Sequence, residues 1–313
     1  MIASAPISVC IPTYNRGPML AAAIDSALPQ LQDGDELVIV DNHSTDNTQE
    51  LLQSYADPRV RVVRNDVTVN IFVNHNRCVE QARHDWVLFL HSDDQLADGA
   101  MAVLRKYLRE RPGAACYFPA QEIHRPYIGG QPMVFSGFDG MTRLMRWVAS
   151  APTGAMFARP WLLKTPFPTL NIAGDLMLLG QLLGAGGTIL LIPEQTIHIG
   201  RGAFQTGHRW VLSGENIRDT AEVFKIMLRE RGVVEALGAS MPQWTDEEIA
   251  RCLKFLAHAD ERATIRYLQT QLHGHRRYKR LWDYHHVRIY RCLGPVGLRT
   301  VFHWVKILKG HAT

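Results

Sequence analysis

An α/β fold, with a mostly parallel β-sheet flanked by helices, is what this sequence predicts, and three observations carry the prediction. Short apolar runs recur through the first half at Ile7–Ile11, Glu36–Val40, Val60–Val63 and Trp86–Leu90. Stretches with helical repeat separate them, the arrangement of successive βαβ units. At 313 residues and 46% hydrophobic composition the chain is also large enough to bury a substantial core.

The elements follow in order. The run from Ile7 to Ile11 ends at Pro12, and Leu20, Ile24 and Leu28 then repeat at helical spacing until Pro29. Glu36–Val40 is apolar enough for a strand buried on both faces. Asp46, with Gln49 three residues on, reads as a capping pair opening a helix through Tyr55. Val60–Val63 is a third strand, Ile71–Ala82 a helix and Trp86–Leu90 a fourth strand. Further on, Ala114–Phe118, Ala155–Ala158 and Thr188–Ile192 read as strands. Phe138–Val148 and Asp175–Leu183 read as helices, and His124–Gly137 as a Gly/Pro-rich loop. From about Glu215 the pattern is helical, so the expected division is an α/β domain over 1–214 and a helical extension over 215–313.

The totals set limits. No apolar run is long enough to span a bilayer, and the N-terminus has no basic stretch followed by an apolar one, so no signal peptide is expected. Cys10, Cys78, Cys116, Cys252 and Cys292 form no C-x-x-C pair, which points to neither a zinc site nor a disulfide framework. They fit a reducing cytosol. Charge is uneven: from Arg276 onward nine Lys/Arg face Asp283 alone, a net +8 within a chain total of +4.

In an open parallel sheet, ligands bind beyond the carboxyl ends of the strands. The first strand ends in Pro12-Thr13-Tyr14-Asn15-Arg16, the second in Asp41-Asn42-His43-Ser44, and the fourth in His91-Ser92-Asp93-Asp94. Singly, each is ordinary turn and cap chemistry. Together they converge on one sheet edge. Adjacent carboxylates such as Asp93 and Asp94 repel unless a cation joins them, and a hard divalent ion, Mg²⁺ or Mn²⁺, suits oxygen ligands and can share a diphosphate.

The series Pro12 to Arg16, Val40 to Asp46 and Leu90 to Asp94, with Asn70-Ile-Phe-Val-Asn-His-Asn76, resembles the family 2 glycosyltransferases of the GT-A fold, of the bacterial surface-polysaccharide type. The similarity covers about residues 6–200. It implies transfer of a sugar from a nucleotide diphosphate donor with inversion at the anomeric carbon. By the same resemblance Pro12, Thr13, Tyr14, Asn15, Arg16, Asp41, Asn76, Ser92 and Asp93 serve the nucleotide site, with Asp41 accepting a hydrogen bond from the base. Asp93 is the metal ligand, joined by His198, and Arg201 meets the donor phosphates. Asp175, in Gly174-Asp175-Leu176, is the general base. One departure stands out: the family usually places Asp where this chain has His91.

The tail from Arg276 interleaves cations with Trp282, Tyr284, Tyr290, Phe302 and Trp304, a composition suited to an anionic membrane face and, as readily, to a solvated helical surface or an oligomer contact. With a membrane surface the acceptor would be a lipid-linked saccharide on the cytoplasmic side; otherwise a free saccharide serves. No nucleic-acid partner is expected. Two other functions fit parts of the pattern, a non-catalytic nucleotide-sugar-binding module and a nucleotidyltransferase. The second normally carries a Gly-rich basic phosphate loop after its first strand, which Thr13-Tyr-Asn-Arg-Gly-Pro18 does not supply.

Overall fold

The structure, a computed structural model, describes residues 5–120, 129–147, 152–170, 173–200, 215–272 and 274–308. Its parallel core is β1 (Ile7–Thr13), β2 (Glu36–Asp41), β3 (Val60–Arg64) and β4 (Trp86–Phe89). β6 (Cys116–Pro119), β7 (Met133–Ser136), β8 (Met156–Ala158) and β9 (Thr188–Ile192) extend it. The eight strands run in the order β3-β2-β1-β4-β8-β6-β9-β7, while β5 (Gln95–Leu96) and β10 (Ile197–His198) form a separate antiparallel pair. β8 runs antiparallel to both β4 and β6, and β7 antiparallel to β9, so the sheet is mixed on that side.

The continuous apolar runs are explained by cover on both faces. Every residue of β1 and β2 is buried. Ile7, Val9 and Ile11, with Leu37, Ile39, Leu88 and Leu90, pack with Leu20 and Ile24 of α1 (Gly17–Ala27) and with Met101 and Leu104 of α4 (Ala100–Glu110). On the other face α3 (Ile71–Gln81) lies against β1 and β2, where the Cys10 thiol donates to the Cys78 carbonyl at 3.6 Å.

Two expectations are corrected. The segment read as a loop, His124–Gly137, contains β7, whose Phe135 alone of its four residues is buried. Nor do Asp46 and Gln49 form a reciprocal cap. The N-cap of α2 (Thr48–Gln53) is Asn47, and Gln49 turns instead to Asp41.

The chain divides into two compact units. The first comprises Met1–Ser136, Ser150–Leu170 and Met177–Gln205, and the second Gly137–Ala149, Asn171–Leu176 and Thr206–Thr313. Within the second unit, α5 (Gly137–Trp147) lies with the helices that follow residue 214. Its long basic helix Trp282–Leu308 is kinked at Gly294, where φ is 69°, ahead of Pro295. Tyr284, Tyr290 and Leu298 of that helix are core residues, so part of the aromatic content of the tail is there for packing. Among the described residues no helix is long and apolar enough to cross a membrane.

Candidate nucleotide and metal site

The site lies at the carboxyl ends of β1, β2 and β4. β1 sits between the other two: Thr13 is in register with Asp41, and Cys10 with Phe89. The polar residues that follow the three strands therefore emerge side by side.

After β1, Asn15 adopts a left-handed backbone (φ 52°), as does His43 after β2 (φ 63°). Left-handed non-glycine residues need compensation, and the two loops supply it to one another. The Asn15 N–H donates to Ser44 Oγ at 2.9 Å, and Asn15 Oδ1 accepts from the Thr45 N–H at 2.8 Å. A Cβ at Gly17 would lie 2.2 Å from Asn47 Oδ1, so the exposed Asn47 side chain would have to turn aside for any larger residue there.

Asp41 is fully buried. Its Oδ1 accepts from the N–H and hydroxyl of Ser44, its Oδ2 accepts from Gln49 Nε2 at 2.6 Å, and Arg64 Nε stands 3.8 Å from Oδ2. Most of its acceptor capacity is spent on the loop that carries Ser44. Beside it, the Thr13 hydroxyl is 2% exposed and has no hydrogen-bond partner. A buried orphan hydroxyl is costly unless something outside the chain satisfies it. Pro12 is buried and Tyr14 is 44% exposed, with its ring free to meet a planar ligand.

The asparagines of the Asn70–Asn76 stretch act as clamps. Asn70 caps α3 by accepting from the Phe72 N–H, and its Nδ2 donates to the Leu170 carbonyl at 3.3 Å. Asn76 both donates to the Phe167 carbonyl at 2.8 Å and accepts from the Phe167 N–H at 2.9 Å. Its amide is thus committed to the 167–170 segment. Sequence reasoning missed Asn65 altogether. It donates to both Asn42 and Asn74, while Asn74 Nδ2 reaches the Val40 carbonyl, and all three residues are buried.

At the end of β4 one ligand atom each from His91, Asp93 and Asp94 lies within 4.8 Å of the others, the cluster among the described residues that could hold a metal ion. Asp94 is buried, which pushes its pKa up, and its Oδ1 accepts from the Gly200 N–H at 2.8 Å. Two adjacent carboxylates, one of them out of water, together with an imidazole nitrogen fit a divalent cation better than they fit each other. Gly200 is pressed against this turn, where a Cβ would stand 1.9 Å from the Asp93 carbonyl oxygen. His198, expected to join Asp93 at the metal, is not among the three grouped residues. It is exposed on β10, paired with Gln95, and its Nδ1 is 3.2 Å from Gln195 Nε2. Ser92 is buried within the same turn. Arg201 lies outside the described residues.

Behind His91 sits His75, 2% exposed and surrounded by the rings of Phe72, Phe89 and Phe167. Burial, and then the nearness of His91, lowers its pKa to about 3. Asp175 opens the helix Gly174–Gly184. Part of the residue's surface meets solvent, but packing around the carboxyl pushes its pKa up to about 7, against a hydrogen bond from the Leu176 N–H at 2.8 Å.

A mixed sheet with acidic and polar residues at its adjacent parallel strand ends is the GT-A nucleotide-diphospho-sugar transferase fold. Residues 8–159, just under half of the chain, match the model for glycosyl transferase family 2. A Bacillus subtilis protein named as a teichuronic acid biosynthesis glycosyltransferase is 33% identical over 107 residues, 34% of this chain and 42% of that one. The Campylobacter jejuni GalNAc(5)-diNAcBac-PP-undecaprenol beta-1,3-glucosyltransferase is 32% identical over 107 residues, 33% of this chain and 35% of the relative. In each case less than half of the relative's length is spanned. The mannosyltransferase of Pyrobaculum calidifontis, solved with GDP-Man and Mn2+, shares the fold with a TM-score of 0.57 at 18% identity, over 96% of this chain and 87% of that one.

Proposed function

We propose that the chain transfers a sugar, with inversion, from a nucleotide diphosphate donor to a saccharide or lipid-linked saccharide, in the making of a bacterial surface polysaccharide. The observation that carries this reading is the single edge formed by Thr13, Asp41 and the His91–Asp94 turn. The orphan Thr13 hydroxyl and the exposed Tyr14 ring offer a nucleoside one polar and one stacking contact. Asn15 and Arg16 belong to the same loop, and Asp41, buried beneath it, is the proposed acceptor for the base edge. Asp93 and Asp94 are the carboxylates for Mn²⁺ or Mg²⁺. Such an ion offsets the charge that develops on a diphosphate leaving group.

Asp175 is the proposed general base. A base works best with a pKa near the working pH, and burial brings this carboxyl to about 7. The relatives named for teichuronic acid and for an undecaprenol-linked saccharide support a polysaccharide or lipid-linked acceptor. The basic tail supports a position at the inner membrane face, with Trp282, Leu293 and Val296 exposed on it. Loss of binding to anionic liposomes on adding salt would bear that out, and indifference to them at low salt would remove it.

The test is release of nucleoside diphosphate from a panel of nucleotide sugars with Mn²⁺, followed by the anomeric configuration of the product. Acceptor-dependent release with inverted product supports the proposal. A retained configuration contradicts the base assignment, and donor binding without release leaves a nucleotide-sugar-binding module.

A further inference from the structure

We infer that His91 Nδ1 is a metal ligand in its own right, and that His75 is the positioning residue that makes it one. The inference rests on the metal-site reading above and adds to it which nitrogen binds and which metals that favours.

The argument is one of hydrogen-bond direction. His75 Nδ1 lies 2.7 Å from the Ile71 carbonyl oxygen, which can only accept, so that nitrogen carries the proton. A buried imidazole inside a cage of three phenylalanines is neutral, which leaves its Nε2 as a lone pair. That Nε2 is 3.1 Å from His91 Nε2, and the contact needs one proton, which His91 must supply. A neutral His91 protonated at Nε2 has its lone pair on Nδ1. This is the nitrogen facing Asp94, 4.0 Å from its Oδ2 and beyond hydrogen-bond reach. The His91 N–H is held by Thr153 Oγ1 at 3.2 Å, which fixes the backbone from which the ring projects.

Carbonyl, buried imidazole and ligand imidazole form a relay of the kind that orients metal-binding histidines, with a second histidine in place of the usual carboxylate. Replacing an oxygen donor by imidazole has a chemical consequence. Nitrogen ligands favour Mn²⁺, Co²⁺ and Zn²⁺ over Mg²⁺, which keeps to oxygen and water. The chain is thereby tuned to transition-metal ions.

The experiment reads the metal alone, on the full chain. Electron spin-echo modulation of bound Mn²⁺ is expected to show a directly bonded nitrogen that disappears in His91→Asp. In that variant the Mg²⁺ affinity rises relative to Mn²⁺ in calorimetric titration. His75→Leu removes the acceptor for His91 Nε2 and is expected to weaken Mn²⁺ binding about tenfold or more. His75→Gln, which keeps an acceptor oxygen there, recovers most of the loss. Circular dichroism confirms that each variant is folded. Mn²⁺ bound through Asp93 with no nitrogen signal overturns the inference and leaves the metal site standing. Equal affinities for wild type and folded His75→Leu overturn the positioning role. Absence of Mn²⁺ binding to wild type overturns both the inference and the reading beneath it.

Discussion

Gln49 donates its side-chain amide to Oδ2 of Asp41 over 2.6 Å, joining the first turn of a short helix to the last residue of β2. The bond holds a fully buried carboxylate next to the orphan hydroxyl of Thr13, at the point where a nucleoside is proposed to enter. Replacing Gln49 by Leu strips Asp41 of its closest neutral donor on that oxygen and leaves Arg64 at 3.8 Å. The cost of an unsatisfied buried acceptor is about 1–3 kcal/mol. Chemical denaturation is expected to show a loss of that size, and an unchanged midpoint would mean the loop needs no such anchor.

Asp175→Asn separates catalysis from binding. Turnover is expected to fall by more than a hundredfold while donor affinity stays within about twofold, because a general base acts in the transition state and not in the ground state. Turnover by wild type should rise with pH through about 7, as the carboxyl loses its proton.

The same group predicts a stability change whose sign follows from linkage. A carboxyl with a raised native pKa binds its proton more tightly folded than unfolded, so its contribution turns unfavourable as pH climbs from the ordinary carboxylate range to about 7. Above that the cost is constant. Asp175→Asn should therefore melt higher than wild type at pH 8 and no higher at about pH 4. Equal shifts at both values would show that the carboxyl titrates normally.

Gly200→Ala places a Cβ 1.9 Å from the Asp93 carbonyl oxygen. Backbone cannot yield as a flexible side chain can, so the turn bearing Asp93 and Asp94 must shift. Mn²⁺ affinity measured by titration is expected to fall at least tenfold, and an unaffected affinity would dissociate Gly200 from the site.

At the opposite end of the strands the chemistry is structural. Arg105, 3% exposed, pairs with both oxygens of Asp35, at 2.6 Å and 2.5 Å, and Asp35 also accepts from the Ile7 N–H. Removing one member of a buried pair costs about 3–5 kcal/mol. Arg105→Met should lower the melting temperature by several degrees yet leave nucleotide affinity within about twofold in the folded protein.

The sequence made some of this legible and concealed the rest for physical reasons. β1, β2 and β4 announced themselves because strands covered on both faces are apolar throughout, and their polar followers marked the site edge. β7 hid because only Phe135 faces the core, and β5 and β10 because a two-residue pairing has no periodicity to read. Asp46 and Gln49 have cap spacing, but a buried carboxylate at Asp41 competes more strongly for the amide. His91 was visible as a departure from the family pattern. Its partner His75 was not, since a relay between residues sixteen apart leaves no local signal. His198 was placed by likeness and by its position after the strand Thr188–Ile192; it pairs with Gln95, directly after the acidic turn, and is not one of the grouped His91, Asp93 and Asp94.

The most direct test of the central claim is calorimetric titration of nucleoside diphosphates into wild type and Asp93→Ala, with and without Mn²⁺. Binding of one nucleotide that requires Mn²⁺ and is lost in Asp93→Ala is the predicted result. Binding indifferent to both the metal and Asp93, or no binding across the panel, would contradict it.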